Sequence, residues 1–426
     1  MTTECTVSTV GRTVSTAQRT KGRWVTAERT AAAAPARGTR PRNRRTLIIE
    51  AAAELFARHG YDQVAMSDVA DAMNVRPSAL YRHFAGKPRL LTAVVLAEIE
   101  PFERVLATGG PIDRLVPRLA DVALEHRRLG VLWQREARAL PEEERGVLRD
   151  ALRSTAGRLA VALLAERPEL GPAGADLLSW CAWSVLNSAG HSSVELPKAE
   201  YASLLEQIVR PVLALTPPPQ ATAPAEPDDG FDPRSRREKL LAAAVPLFAA
   251  QGYAGVRMED IGARAGIAGP SVYHHFTSKQ EILYAVLNRG SEWLRQDLHR
   301  ALARAMDPAD ALSRLAGSYV RFAADNSALI DVLISDVRHL PAEQRAAVVQ
   351  AQQDYLGEWQ HRLRLARPQT TAMQARARVH AALAIVNDIA RTPHLRAMPG
   401  ALETVRQAAL LALLGCVNHH EEVVTR

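Results

Sequence analysis

The 426-residue sequence predicts an all-α protein built of two tandem units. Three observations carry this. The stretch RRTLIIEAAAELFARHGYDQVAMSDVADAMNVRPSALYRHFAGKPRLL (44–91) recurs without a gap as RREKLLAAAVPLFAAQGYAGVRMEDIGARAGIAGPSVYHHFTSKQEIL (236–283). Apolar residues recur at helical spacing through most of the chain, and few segments alternate with period two. A Pro- and acid-rich stretch, LTPPPQATAPAEPDDGFDP, separates the halves and reads as a linker.

The repeat decides the architecture, so its register comes first. Phe56 matches Phe248, and 248 minus 56 fixes an offset of 192. At that offset Gly60 and Tyr61 meet Gly252 and Tyr253, and Met66 and Asp68 meet Met258 and Asp260. Tyr81, His83, Phe84 and Lys87 meet Tyr273, His275, Phe276 and Lys279. Further on, REARALPEEERGVLRD from Arg135 matches SDVRHLPAEQRAAVVQ from Ser335 at an offset of 200. The second copy therefore carries eight extra residues before this point (200 minus 192), and the whole unit is duplicated.

In chain order, residues 1–43 form a basic tail with no apolar period, expected to be disordered. Residues 1–45 hold ten Arg or Lys and two Glu, about +8 of the total +7, so the remaining chain is near −1. The basic character belongs to the tail and is weak evidence for a polyanion-binding face elsewhere. Arg37, Arg40, Arg42, Arg44 and Arg45 read either as an arm along phosphates or in a minor groove, or as a solvated extension.

Residues 44–91 read as three short helices and the start of a fourth. Ile48, Ala52, Leu55 and Phe56 make one helical face. Gly60 and Gly252 suit a left-handed helix cap. Val69, Ala70 and Met73 mark a second helix, and Leu80, Tyr81 and Phe84 a third after a tight break. That is a helix-turn-helix, whose second member has the width of the major groove. Residues 92–215 are helical, with Pro111, Pro141, Pro168, Pro172 and Pro197 near helix starts. The linker takes 216–233, the second helix-turn-helix 234–283 and a second helical region 284–420.

Three features shared by the two copies, F-A-x-x-G-Y, D-[VI]-[AG] and Y-x-H-F-x-x-K, resemble the DNA-binding region of TetR-type transcriptional regulators. The resemblance covers 48 residues twice. One departure stands out: the family often caps its second helix with Thr or Ser, where this chain has Val64-Ala65 and Val256-Arg257. Losing that hydroxyl costs roughly 1 kcal/mol, so another group must satisfy the turn.

The resemblance implies a double-stranded DNA operator and a small-molecule effector. It also implies self-association through the last two long helices of each unit, here about 172–192 with 198–215 and 370–393 with 400–418. Two such faces would form a four-helix bundle. Regulators of this kind place two recognition helices on DNA from a homodimer. This chain carries both, so an intramolecular pseudo-dimer is expected. The rivals are a homodimer of tandem chains, or one DNA-binding unit with a second that only dimerises or senses ligand.

The DNA-contact candidates follow the motif. In the first unit they are Arg44, Arg45, Arg76, Pro77, Ser78, Ala79, Tyr81, Arg82, His83 and Lys87. Arg76 suits a guanine edge or a phosphate, and Tyr81, His83 and Lys87 match the family's phosphate-contacting positions, which fix register. In the second unit they are Arg236, Arg237, Ala268, Gly269, Pro270, Ser271, Tyr273, His274, His275 and Lys279. Core packing is the competing reading for Tyr81 and Tyr273 and the stronger one for Phe84 and Phe276. Because Arg76 faces Ala268 in the repeat, the operator is expected to have unlike half-sites.

Effector-binding candidates are Trp133, Arg135, Trp183 and Asn187 in the first half, with Glu136, Trp180 and His191 near them. In the second half they are Asp331 and Asn387, with Asp336, Trp359 and His380. Packing or surface roles compete for each. The Arg-x-Leu-Pro-x-Glu-x-Arg pattern resembles regulators of acyl-CoA or related lipid-derived ligands. The two halves would hold different ligands, or one pocket would be vestigial.

Other classes find no support in the residues. No phosphate-binding Gly loop, H-E-x-x-H, Cys/His cluster or G-x-S-x-G is present, so no enzyme, cofactor or metal is expected. Cys5, Cys181 and Cys416 lie far apart, as suits a reducing cytoplasm, and His419-His420 reads as a solvated tail. No run of 18 apolar residues occurs, so no membrane span is expected. The expected location is the bacterial cytoplasm, at the nucleoid.

Overall fold

The computed structural model describes residues 43–190, 194–218 and 235–415, with the backbone of Arg19–Thr20 and Arg23–Trp24. Those two dipeptides pair as a two-rung antiparallel ladder, Arg19 opposite Trp24 and Thr20 opposite Arg23. All other regular structure among the described residues is helical, as the sequence predicts. The expectations for Arg37, Arg40, Arg42, Cys5, Cys416, His191, His419-His420 and most of the linker lie outside the described residues.

The chain divides into two compact units, Met1–Leu90 and Leu91–Arg426. The first contains α1 (Arg44–His59), α2 (Met66–Ala72), α3 (Pro77–Tyr81) and the start of α4 (Lys87–Ala107). Of the α1 stripe predicted from spacing, Ile48, Ala52 and Phe56 reach 1 % exposure or less while Leu55 is half-buried, and Val69, Ala70 and Leu80 are buried as well. Each large side chain removed from water there contributes about 1.5–3 kcal/mol.

Gly60 corrects the cap expected for it. Its φ is positive (83°), but ψ is 148°, the extended glycine-only region and not the left-handed helical one. Gly252 repeats it with φ 70° and ψ 159°. The left-handed cap sits after α2 instead. Asn74 adopts φ 53°, and Val75 N–H reaches back to the Ala70 carbonyl at 2.9 Å, the six-to-one bond of a Schellman motif. The second copy uses Gly266 (φ 66°) with Ile267 N–H on Gly262 O at 2.9 Å. The missing cap hydroxyl is also explained. Asp68, three residues into α2, accepts the Ala65 N–H at 2.7 Å, and Asp260 accepts that of Arg257 at 2.8 Å. The reciprocal half of a capping box does the work alone.

The second unit continues through α5 (Ile112–Glu125), α6 (Arg128–Val131), a π turn over Leu132–Glu136 and a 3₁₀ turn over Ala137–Ala139. Next come α7 (Glu142–Glu166), α8 (Gly171–Asn187) and α9 (Lys198–Leu213). The second repeat supplies α10 (Arg236–Gly255, kinked at Gly252), α11 (Met258–Arg264), α12 (Gly269–Tyr273) and α13 (Lys279–Ala303). It ends with α14 (Pro308–Asp325), α15 (Ser327–Ser335), α16 (Ala342–Ala366), α17 (Ala372–Ala390), α18 (Pro393–Arg396) and α19 (Ala401–Leu414).

The eight extra residues fall in two equal parts. Helix α13 has 25 residues against 21 in α4, and α14 has 18 against 14 in α5. Four residues are close to one 3.6-residue turn, so each helix lengthens while its buried face keeps its orientation.

Helices α8 and α17 pack on each other, α9 packs on α19, and each pair is closed by α8 on α9 and α17 on α19. The contact faces carry small residues, Ala175, Cys181 and Ala182 on α8 and Ala375, Ala381 and Ala382 on α17, all at most 1 % exposed. Small side chains let helix axes approach closely. Polar bonds cross the same seam: Gln374 Nε2 donates to Glu200 at 3.0 Å and Arg378 Nη2 to Gln207 at 3.4 Å.

One packing detail separates the repeats. A Cβ on Gly262 would lie 2.8 Å from Val272 Cγ2 and 2.9 Å from the Ile267 carbonyl. The first copy has Ala70 facing Leu80 instead, where the branch sits one carbon further out. Gly262→Ala should therefore lower stability by about 1–3 kcal/mol through overpacking. A melt of the variant unchanged from wild type would refute this.

Candidate nucleic-acid interface and effector cavity

In the first unit α3 turns Leu80 inward and leaves the opposite face in solvent. Arg76, Pro77, Ser78, Tyr81, Arg82 and His83 are exposed, and Ala79 is half-buried. Tyr81 is 56 % exposed and Tyr273 50 %, so neither is a core residue, whereas Phe84 and Phe276 are buried. In the second unit Ala268, Pro270 and His274 are exposed, and Gly269, Ser271 and His275 half-buried.

Several candidate cations brace the fold. Lys279 Nζ donates to the Tyr253 and Val256 carbonyls, both at 2.6 Å, and stands 4.1 Å from the Tyr253 ring. Burial lowers its pKa, opposed by Asp336 and Asp260. Lys87 takes the same place 4.0 Å over the Tyr61 ring. These two lysines thus tie the turn after the first helix of each copy to the start of the fourth. Arg45 lies 5.2 Å over Phe84, and Arg237 4.1 Å over Phe276. Arg44 is half-buried and Arg236 exposed.

The two faces differ chemically. Tyr273 donates its hydroxyl to Glu259 at 3.4 Å. The first copy has Ser67 at the Glu259 position and Arg82 at the His274 position. The second face thus carries an acid where the first carries a hydroxyl and, with Ala268 at the Arg76 position, loses two permanent cations.

A cavity of about 300 Å³ opens in the second unit. Trp133, Trp180, Trp183 and Asn187 line it from the first repeat, and Asp331, Asp388, Arg391 and Thr392 from the second. Of the predicted effector residues it brings together Trp133, Trp183, Asn187 and Asp331, with Trp180. Arg135 and Asn387 are elsewhere. Arg135 is half-buried, its pKa lowered by desolvation. Asn387 accepts the Tyr319 hydroxyl at 2.8 Å, beside an aromatic cluster of Tyr319, Tyr355 and Trp359 with centroids 6.2 Å apart. Half-buried His380 has its pKa pushed down to about 4 by desolvation.

The sequence did not mark Arg138 as a site residue, only as part of the repeat. It lines the cavity and reaches across to the second repeat. Its Nη2 donates to the Phe248 carbonyl at 2.6 Å and the Ala249 carbonyl at 2.9 Å, and Nη1 to the Asp331 carbonyl at 3.0 Å. Phe248 and Ala249 stand in the last turn of α10 before its kink, where helix carbonyls lack partners. Arg138 also lies 3.9 Å from Asp336, and Arg338 donates to Glu136 at 2.6 Å. Arg138 and Glu136 of one repeat thus face Asp336 and Arg338 of the other, a crossed pair of ion pairs.

Asp336 is the weak member. Burial pushes its carboxyl up to about 6, against Arg138, the Tyr253 N–H and Arg338, which lower it, while Asp331 raises it. The folded pKa is above the ordinary 3.8. The folded state therefore keeps a proton the unfolded chain has lost, and stability is greatest below about 4 and falls as pH rises through about 6. Asp336→Asn should abolish that loss, so the Tm difference between variant and wild type grows from pH 4 to pH 7. A difference that stays flat refutes the assignment. Arg138→Ala leaves the carbonyls and Asp336 uncompensated and should cost about 3–5 kcal/mol, read as a lower Tm.

Comparison with known proteins fits this geometry. The family described as bacterial regulatory proteins, tetR family, matches at residues 48–94 and again at 240–286. A tetracyclin repressor-like C-terminal domain matches at 305–392. The HTH-type transcriptional repressor KstR2 of Mycolicibacterium smegmatis is 37% identical over 21% of this chain and 43% of its own length. KstR2 of Rhodococcus jostii is 33% identical over 31% of this chain and 61% of its own. The matches therefore span from under half to about three-fifths of these relatives. A TetR-family regulator structure from Bordetella parapertussis is 21% identical, with TM-score 0.40, over 44% of this chain and 98% of its own. With two N-terminal domains of the family and a C-terminal domain on one polypeptide, the chain belongs to the TetR family as a tandem fusion.

Proposed function

We propose that the chain is a sequence-specific, ligand-responsive transcriptional regulator that binds double-stranded DNA in the cytoplasm as an intramolecular pseudo-dimer. The observation that carries this is the seam of α8 and α9 against α17 and α19 between repeats of one chain, each repeat having a solvent-facing recognition helix. The family expectation is repression relieved by ligand.

In the first unit Arg76, Ser78 and Arg82 would face the groove and Tyr81 and His83 the phosphates. In the second, Pro270 and His274 would take the groove and Tyr273 a phosphate. Lys87 and Lys279, tied to their own turns, would act by holding the recognition helices in place. With Arg76 facing Ala268 in the repeat, the operator would be asymmetric.

A second reading, in which the first unit dominates DNA binding, is favoured by one contact: the Glu259 carboxylate beside Tyr273 repels the phosphate that tyrosine would bond. Solution mass decides the assembly. One 46.5 kDa chain per selected duplex is expected, and two chains per duplex would replace the pseudo-dimer by a homodimer of tandem chains. Site selection should return unlike half-sites, and a perfect palindrome would sink the asymmetric operator. Tyr81→Phe should weaken binding several-fold, at about 1 kcal/mol per lost bond. Glu259→Gln should strengthen it. If Glu259→Gln has no effect while Tyr273→Phe equals Tyr81→Phe, both units engage alike.

A further inference from the structure

Among the described residues the cavity lies on one side of the seam, and the repeat register shows how its lining differs from the matching positions. At the offset of 200, Trp133, Arg149, Trp180 and Trp183 correspond to Leu333, Val349, His380 and Leu383. The opposite wall is as one-sided: Asp331 and Asp388 correspond to Val131 and Ser188. Arg391 corresponds to His191, so a second site related by the repeat would lack the indoles, two arginines and both acids.

The charges on the wall are unequally committed. Arg391 donates to Asp331 at 2.6 Å, and Asp388 accepts Gln134 Nε2 at 2.8 Å, so both acids are already bonded. Arg145 and Arg149 share Glu142, which is 63 % exposed and cheaply exchanged. Arg138 keeps a buried Nε–H with no partner. Four arginines face two bonded aspartates around three indoles. That surplus suits an anion attached to a flat apolar body.

We infer that this composite cavity binds one small aromatic or similarly flat anion per chain, and that occupancy acts on the second DNA-binding unit through Arg138. Arg138 joins the two: it lines the cavity and holds the Phe248 and Ala249 carbonyls at the end of α10. A ligand that draws the guanidinium toward itself loosens that end of α10, the helix on which α11 and α12 are mounted. The size of the effect equals the ligand's preference for one arrangement over the other. The inference rests on the regulator reading for its purpose, but its test does not need DNA.

The test uses the full chain and 2-naphthoate, with neutral 2-naphthamide as control. Titration followed by tryptophan fluorescence and calorimetry should give one naphthoate per chain, with the amide weaker by about tenfold or more, the scale of one charged hydrogen bond. Arg149→Val, at a position 39 % exposed and already Val in the other repeat, should weaken naphthoate several-fold and leave the amide unchanged. Trp133→Leu should weaken both. Hydrogen exchange with naphthoate should speed amides in 244–276 and leave 44–84 unchanged. Two naphthoates per chain, equal binding of the amide, or equal exchange changes in both DNA-binding units would overturn the proposal. Normal ligand binding in a chain that ignores DNA would instead remove the regulator reading.

Discussion

The packing of α8 and α9 against α17 and α19 is the constraint on which the second unit depends. It buries apolar helix faces that neither repeat covers alone. In a two-chain dimer such a seam forms only after the translational and rotational cost of association, several kcal/mol at least. A linker of about 20 residues replaces that cost with an effective concentration on the order of millimolar, and reaches about 65 Å when extended. The seam can therefore rely on small residues and a few polar bonds such as Arg378 to Gln207.

Covalent linkage also removes the rule of symmetry. In a twofold homodimer every residue appears on both sides of the interface. Here Trp133 faces a wall containing Asp331 and Asp388, while its counterpart Leu333 has Val131 and Ser188 in the matching places. The crossed pairs keep a trace of the symmetry. Arg338 to Glu136 is short, while Arg138 to Asp336 is stretched to 3.9 Å because Arg138 spends its donors on carbonyls of α10 and Asp331. Asp336 is left half-compensated in a buried place, which is why its carboxyl titrates high.

Much of this was legible in the sequence because it is local or periodic. The repeat, the α1 stripe of Ile48, Ala52 and Phe56, and the prolines at helix starts follow from spacing and backbone chemistry. The eight-residue insertion was visible too, though not its division into two single turns. What escaped was set by geometry or distance. Gly60 was read as a left-handed cap because glycine permits several positive-φ regions, and only the path of the chain selects among them. Asp68 as a cap from within the helix was missed because the hydroxyl was sought one turn earlier. Lys279 looked like a free cation, since nothing local says that two carbonyls of a preceding turn will take it. Arg138 meets its carbonyls about 110 residues away, and such a bond leaves no mark on nearby residues.

The asymmetry has a consequence for how such a chain would respond to a ligand. Two equivalent sites coupled to one concerted transition give a sigmoidal response, with a Hill coefficient up to the number of sites. A single composite site gives a hyperbolic one, whatever the size of the transition. On the inference drawn from Arg138, the signal would also enter at one place, the end of α10, and would be transmitted only so far as the Arg138 bonds to Phe248 and Ala249 differ between the two states. If it senses one ligand and binds DNA through both helices as proposed, the chain would be suited to graded adjustment of one half of its grip on DNA. Two identical subunits, whose half-sites must change together, have no such option.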